Sequence, residues 1–158
     1  MDARRNDDAV KNSVSVQRTS EREVVVTRSF DAPARLVFAA WSKPELFRQW
    51  WVPKSMGMNL LSCEMDVRTG GRYRLEFANP GAAEPLAFFG RYLDVVPNSR
   101  IVWTNEEGGE DAASITTVTL EERDGTTHLV LSELYPSKEA FDAGRDWRWR
   151  RQQRQMDR

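Results

Sequence analysis

Between residues 60 and 133 the chain repeats one pattern: a short β-branched or aromatic run, a turn signal, and another such run. The runs are Leu60–Asp66, Arg72–Phe77, Phe88–Val96, Arg100–Thr104, Ser114–Glu122 and Thr127–Glu133. Thr69-Gly70-Gly71, Asn79-Pro80-Gly81, Pro97-Asn98, Gly108-Gly109 and Asp124-Gly125 lie between them. Connections this short leave no room for crossover helices, so the runs must pair as an antiparallel meander. Alternation gives that sheet a dry face and a wet one. Tyr73, Leu75 and Phe77 point one way, and Arg72, Arg74 and Glu76 the other. By the same reading Phe89, Arg91, Leu93 and Val95 share the apolar face, as do Val118 with Leu120, and Leu129 and Leu131 with Glu133.

Upstream, Glu23–Phe30 is a β-branched run and reads as a further strand. Residues 1–22 hold too few apolar side chains to offset the entropy of ordering, and read as a disordered arm. After Phe30, Asp31 is placed to cap a helix that opens with Pro33. Leu36, Val37, Ala40 and Trp41 recur at helical spacing over Ala34–Trp41. Ser42-Lys43-Pro44-Glu45 restarts the pattern, and Leu46, Phe47 and Trp50 form the inner face of a second short helix. Pro136-Ser137-Lys138-Glu139 opens a last helix with Ser137 as its cap. The order is strand, two short helices, six strands, helix. That implies an α+β domain over residues 23–158, with a curved antiparallel sheet of six to seven strands around a long C-terminal helix. The space between sheet and helix is the expected pocket.

Composition narrows the function. The chain has 158 residues, enough for one domain with a real core. Its single cysteine, Cys63, permits no intrachain disulfide. No apolar stretch approaches a membrane span and the N-terminus lacks a secretory signal, so a cytoplasmic protein is expected. The net charge of −1 hides an asymmetry: residues 145–158 carry six Arg against two Asp, which leaves −5 on residues 1–144. An acidic body argues against nucleic acid as a partner, and the basic end reads as a solvated, frayed helix terminus.

In this order the segments become a family pattern. RSFDAPARLVFAAWSKPELFRQWWVP, DVRTGGRYRLEF, GRYLDVVPNSRIVWT, TTVTLEERDGTTHLVLSE and YPSKEAFDAG follow one another in register. Together they resemble the START-like (SRPBCC) superfamily. More narrowly, they resemble the family named after the C-terminal domain of the activator of the heat-shock-protein-90 ATPase. The resemblance implies the helix-grip fold, an internal hydrophobic cavity and no metal or cofactor. It leaves function open among lipid carriers, receptors, cyclases and co-chaperone domains. The chain departs from the family after Ala143, where GRDWRWRRQQRQMDR (residues 144–158) replaces a regular apolar stripe. Either the helix packs only over its first turns, or this end comes from a shifted reading frame.

No catalytic set is legible. His128, the only histidine, alternates with Leu129 and Leu131 and so belongs to the wet face. Cys63 reads as a buried inert thiol, and one His with one Cys cannot hold zinc. Gly70-Gly71 is a hairpin turn rather than a phosphate loop. A pocket is the remaining candidate. Trp41, Trp50, Trp51, Tyr73, Phe77, Phe89, Trp103 and Leu131 supply apolar wall, and Arg91 or Glu133 supplies a polar anchor. The expected activity is non-catalytic binding of an apolar or amphipathic small molecule. A protein-interaction domain using an exposed patch around Trp51 is the alternative, and a cyclase or hydrolase using Glu133 the third. A monomer and a homodimer both fit.

Overall fold

The computed structural model describes residues 14–50, 60–78, 83–106 and 113–142. Within them the chain forms one eight-stranded antiparallel sheet, two short helices between its second and third strands, and a helical turn at residues 138–142. The strands are β1 (Val14–Arg18), β2 (Glu23–Phe30), β3 (Leu60–Met65), β4 (Arg72–Phe77), β5 (Leu86–Val96), β6 (Arg100–Asn105), β7 (Ser114–Arg123) and β8 (Thr126–Leu134). The helices are α1 (Ala34–Ser42) and α2 (Pro44–Trp50). Strand order across the curved sheet is β1-β2-β8-β7-β6-β5-β4-β3. Each hairpin adds a neighbour, and β2 closes on β8. Among the described residues, no helix is long and apolar enough to cross a membrane.

Local chemistry explains the tight turns. β7 and β8 are joined by Asp124-Gly125 alone, with φ of 53° and 80°. Two adjacent positive φ values define the type I′ hairpin, whose twist matches that of the flanking strands. Asn98, at φ 64°, turns the chain between β5 and β6. The expected turns at Asn79-Pro80-Gly81 and Gly108-Gly109 lie outside the described residues.

Three expectations need correction. The sheet reaches ahead of Glu23, because Val14, Ser15 and Val16 pair with Arg28, Thr27 and Val26 and add an eighth strand. Arg18 of β1 also places its guanidinium 4.2 Å from the centre of the Phe141 ring and 3.6 Å from the Asp142 carboxylate. Asp31 does not cap α1. The Ala34 N–H donates instead to Oε1 of Glu122 on β7, at 2.6 Å, and the Thr127 hydroxyl donates to the Ala32 carbonyl at 2.7 Å. The helix entrance is therefore clamped to the far end of the β7–β8 hairpin. Leu36 is 50% exposed, and the buried stripe of α1 is Ala34, Val37 and Trp41. Ser137 does cap the final helix, its Oγ accepting from the Ala140 N–H at 3.1 Å. Residues 138–142 are helical. The long helix expected to follow lies outside the described residues.

The core sits on the concave side. Val26, Phe77, Ile101, Val118, Leu129 and Leu131 are at most 2% exposed. Each such side chain contributes roughly 1.5–3 kcal/mol by leaving water. β5 carries the main irregularity. Its pairing with β6 shifts register between Tyr92 and Asp94. The Tyr92 N–H and C=O turn instead to Gly71 (2.8 Å) and Gly70 (2.9 Å) in the β3–β4 turn. Nearby, Gly90 is pressed so closely on β6 that an added Cβ would lie 1.9 Å from the Thr104 carbonyl oxygen. Gly90→Ala must push the strands apart. It should lower stability by about 1–3 kcal/mol, measured by urea unfolding, whereas wild-type stability would show that β5 and β6 are not in this close contact.

Candidate functional site

Among the described residues the concave face is mostly apolar, and its polar side chains gather chiefly around Glu133. β2, β8, β7 and β6 run side by side, and their directly paired residues share a face. Val24, Glu133 and Thr116 form one such row, continued from Thr116 to Trp103. Val26, Leu131, Val118 and Ile101 form the next. Glu133 is therefore an inward-facing carboxylate, only 1% exposed.

The polar groups around it close into a network. Asn105 on β6 is the hub. Its Nδ2 lies 3.0 Å from Ser114 Oγ, 2.9 Å from Thr116 Oγ1 and 3.1 Å from Glu133 Oε1. Its Oδ1 accepts from the Trp103 indole N–H at 3.2 Å and lies 3.2 Å from the Tyr73 hydroxyl. Because the indole nitrogen can only donate, it fixes which end of the Asn105 amide faces it. The Ser114 and Thr116 hydroxyls, at 3.3 and 3.1 Å, pass the hydrogen-bond chain on to Glu133 Oε1. Tyr73 donates its proton to the Thr104 carbonyl at 2.7 Å. Four strands thus contribute to one node, and each bond polarises the next.

An aromatic group borders the node. The Trp41 ring centre is 5.7 Å from that of Trp103, 4.7 Å from Trp50 and 6.4 Å from Phe47. Trp50 is held by its indole N–H on the Ala40 carbonyl at 3.0 Å. The helices α1 and α2 therefore present their aromatic side to the sheet beside the polar cluster.

The residues expected to line a pocket are divided by the structure. Trp41, Tyr73, Phe77, Trp103, Leu131 and Glu133 are buried on the concave side, and Trp50 packs against them half-buried. Trp51 lies outside the described residues. Phe89 and Arg91 are a correction: both face the convex side. Phe88, Gly90 and Tyr92 take the inward positions of β5, with Phe88 5.4 Å from Phe77 and Tyr92 5.6 Å from Tyr73 between ring centres. The bulge then turns Val95 back inward, as expected, and leaves Leu93 43% exposed. Arg91 is bound outside by Glu106 at 3.1 Å.

Sequence reasoning missed Arg28, Asn105, Ser114, Thr116 and Tyr92. Arg28 shares parity with Val24 and Val26 and faces inward, its guanidinium carbon 5.0 Å from the Phe30 ring centre. That parity was a usable signal. The roles of Asn105 and Ser114 depend on cross-strand register, which no local pattern reveals.

Cys63 is half-buried beside Met65, with Sγ to Sδ at 3.5 Å. Burial pushes its thiol pKa up, against the opposing pull of Arg48, which suits an inert thiol. Burial likewise raises Tyr92, so its hydroxyl stays protonated. His128 is exposed on the convex face, where its Nδ1 lies 3.2 Å from Ser29 Oγ. Glu121, across from it on β7, is engaged by Arg123 at 2.7 Å. Among the described residues, no cluster of three His, Cys, Asp or Glu side chains is arranged to hold a metal ion.

This arrangement, a curved antiparallel sheet with two short helices after an early strand, is that of a START-like α+β domain. Solved structures share it. A protein from Rhodobacter sphaeroides matches with a TM-score of 0.77 at 21% identity, over 92% of this chain and 95% of that one. Protein Ms6760 from Mycobacterium smegmatis matches with a TM-score of 0.73 at 22% identity, over 92% and 95%. A protein from Rhizobium leguminosarum is 29% identical, with a TM-score of 0.67 over 92% and 94%. No curated protein matches the chain significantly. The chain belongs to the activator of Hsp90 ATPase homolog 1-like family, whose model matches residues 31–157.

Two outcomes test the site's chemistry. Asn105→Leu removes the hub and leaves buried partners unbonded. It should cost about 1–3 kcal/mol per stranded group in denaturant unfolding, whereas Thr117→Val, on the opposite face, should change stability by less than about 0.5 kcal/mol. The second concerns Glu106, whose pKa is lowered below its ordinary 4.5 mainly by the Thr104 hydroxyl and also by Arg91. A depressed carboxylate stabilises the fold above pH 4.5 and loses that contribution as pH falls through its folded pKa. Glu106→Gln should therefore be less stable than wild type at neutral pH, with the difference vanishing in the acid range below 4.5.

Proposed function

We propose that this domain binds an apolar or amphipathic small molecule against the concave face of its sheet, without catalysing a reaction on it. The observation that carries this reading is Glu133, a carboxyl group 1% exposed on a mostly apolar face and hydrogen-bonded there by Asn105, Ser114 and Thr116 among the described residues. A purely structural node is the competing account. It is the poorer one on energetic grounds, since well-packed apolar residues hold strands together at least as well as a buried polar group with its desolvation cost. Small-molecule sites commonly combine apolar walls with a few convergent polar groups, and that is the composition here.

In this reading the ligand's apolar body lies beside Trp41 and Trp103, and its polar end is oriented by Glu133 with Ser114 and Thr116. No metal or cofactor is required. Family membership supports a ligand-binding or co-chaperone-like domain as the broad class. The protein-interaction alternative rested on Trp51, which lies outside the described residues.

Native mass spectrometry of the protein purified from its own host tests the reading, followed by small-molecule analysis of the denatured sample. A stoichiometric adduct is the expected result, and its mass identifies the ligand class. Glu133→Gln, close to isosteric, should then bind that molecule about tenfold more weakly, a difference of about 1.4 kcal/mol. Recovery of apo protein alone, even after incubation with lysate rich in lipids and aromatic metabolites, would overturn it in favour of a surface partner.

A further inference from the structure

The convex side carries a second feature, unrelated to the concave site. A groove of about 560 Å³ runs over β3, β4 and β5, lined by Glu64, Arg72, Arg74, Phe89, Arg91 and Glu106 among others. Register sets Arg72 directly opposite Arg91, and the next outward pair is Arg74 opposite Phe89. Like charges directly opposed on neighbouring strands weaken a sheet, so chance stability does not favour this pair.

The charged lining is neutral in sum, with Arg72, Arg74 and Arg91 set against Glu64, Asp66 and Glu106, but its charges are unevenly engaged. Arg91 is bound by Glu106 at 3.1 Å, and Arg74 by Glu76 at 2.9 Å. Asp66 is taken by Arg68 at 2.8 Å. Glu106 also accepts from the Thr104 hydroxyl. Arg72 has no hydrogen bond or ion pair among the described residues. It acts on Glu106 only through space, and the strand ladder itself holds it beside a second guanidinium. Phe89 adds an apolar surface next to both, with Arg74 5.5 Å from its ring centre. Guanidinium groups grip phosphate and carboxylate through paired N–H donors. The groove's volume suits a small organic molecule rather than a bare ion.

We propose that this groove binds a small organic oxyanion, a phosphate or carboxylate held between Arg72 and Arg91, with the molecule's flat apolar part against Phe89. The bound anion neutralises the opposed guanidinium groups, and Glu64 at the rim disfavours molecules with further negative charge. The site is distinct from the concave face and does not depend on the function proposed there.

The test is an NMR titration of the full chain with phenyl phosphate, referenced to sodium chloride at matched ionic strength. Saturable shifts at the Arg72 and Arg91 Nε–H and the Gly90 amide are expected at millimolar concentration, with inorganic phosphate binding several-fold more weakly. Arg72→Gln should weaken phenyl phosphate binding about tenfold. In the absence of the anion it should also raise the melting temperature, because the cross-strand repulsion is gone. Shifts no larger than those caused by chloride, or undiminished binding by Arg72→Gln, would overturn the proposal. Equal affinity for phenyl phosphate and inorganic phosphate would overturn the role of Phe89.

Discussion

The two ladders that hold β8, to β7 on one side and β2 on the other, decide which side chains the protein keeps inside. They run from Thr126 to Leu134 against β7 and from Thr127 to Leu134 against β2. Because successive strand residues face opposite ways, a slip of one position would exchange the two faces completely. Thr127, Leu129, Leu131 and Glu133 would move out, and His128, Val130 and Ser132 would move in. The tight Asp124-Gly125 turn guards against that slip, and so does the clamp from Glu122 and Thr127 to the entrance of α1. Placement of the helices and placement of the inner carboxylate therefore follow from one register.

Within that frame, the polar node is a costly thing to build. A charged or polar group taken out of water regains its hydrogen bonds only if partners stand in the right places. Here they come from strands far apart in sequence: Tyr73 on β4, Asn105 on β6, Ser114 and Thr116 on β7, and Glu133 on β8. Close packing of β5 under β6, with Gly90 against Thr104, lets the Tyr73 hydroxyl reach across. Small shifts at Gly90 therefore reach the carboxylate through two hydrogen bonds.

Much of the fold was legible in the chain because its signals are local. Turn dipeptides marked the hairpins, and alternation placed Tyr73, Leu75, Phe77, Leu129, Leu131 and Glu133 on one face. Where both parities of a strand are apolar, alternation loses its meaning. In β5, Phe88 and Phe89 sit side by side, as do Tyr92 and Leu93, and a bulge changes parity midway. That ambiguity sent Arg91 to the wrong side. β1 was hidden for another reason: Val14 and Val16 are its only apolar residues, in a polar neighbourhood, and the strand forms because β2 offers it an edge. The cap of α1 escaped because its donor and acceptor are 88 positions apart. For the candidate site, the carboxylate was readable from parity, but its hydrogen-bonding company was not.

The family pattern begins at residue 31, after both β1 and β2 have ended. Yet β2 sits between β1 and β8, well inside the sheet. A chain trimmed to the family boundaries would lose two strands and leave the row of amides and carbonyls on β8 open along its length. Such an unpaired row is a template for another chain to add itself, in a filament or an exchanged dimer. In this protein the residues ahead of the recognisable domain act as its selvedge, the woven border that stops the fabric from unravelling into its neighbours.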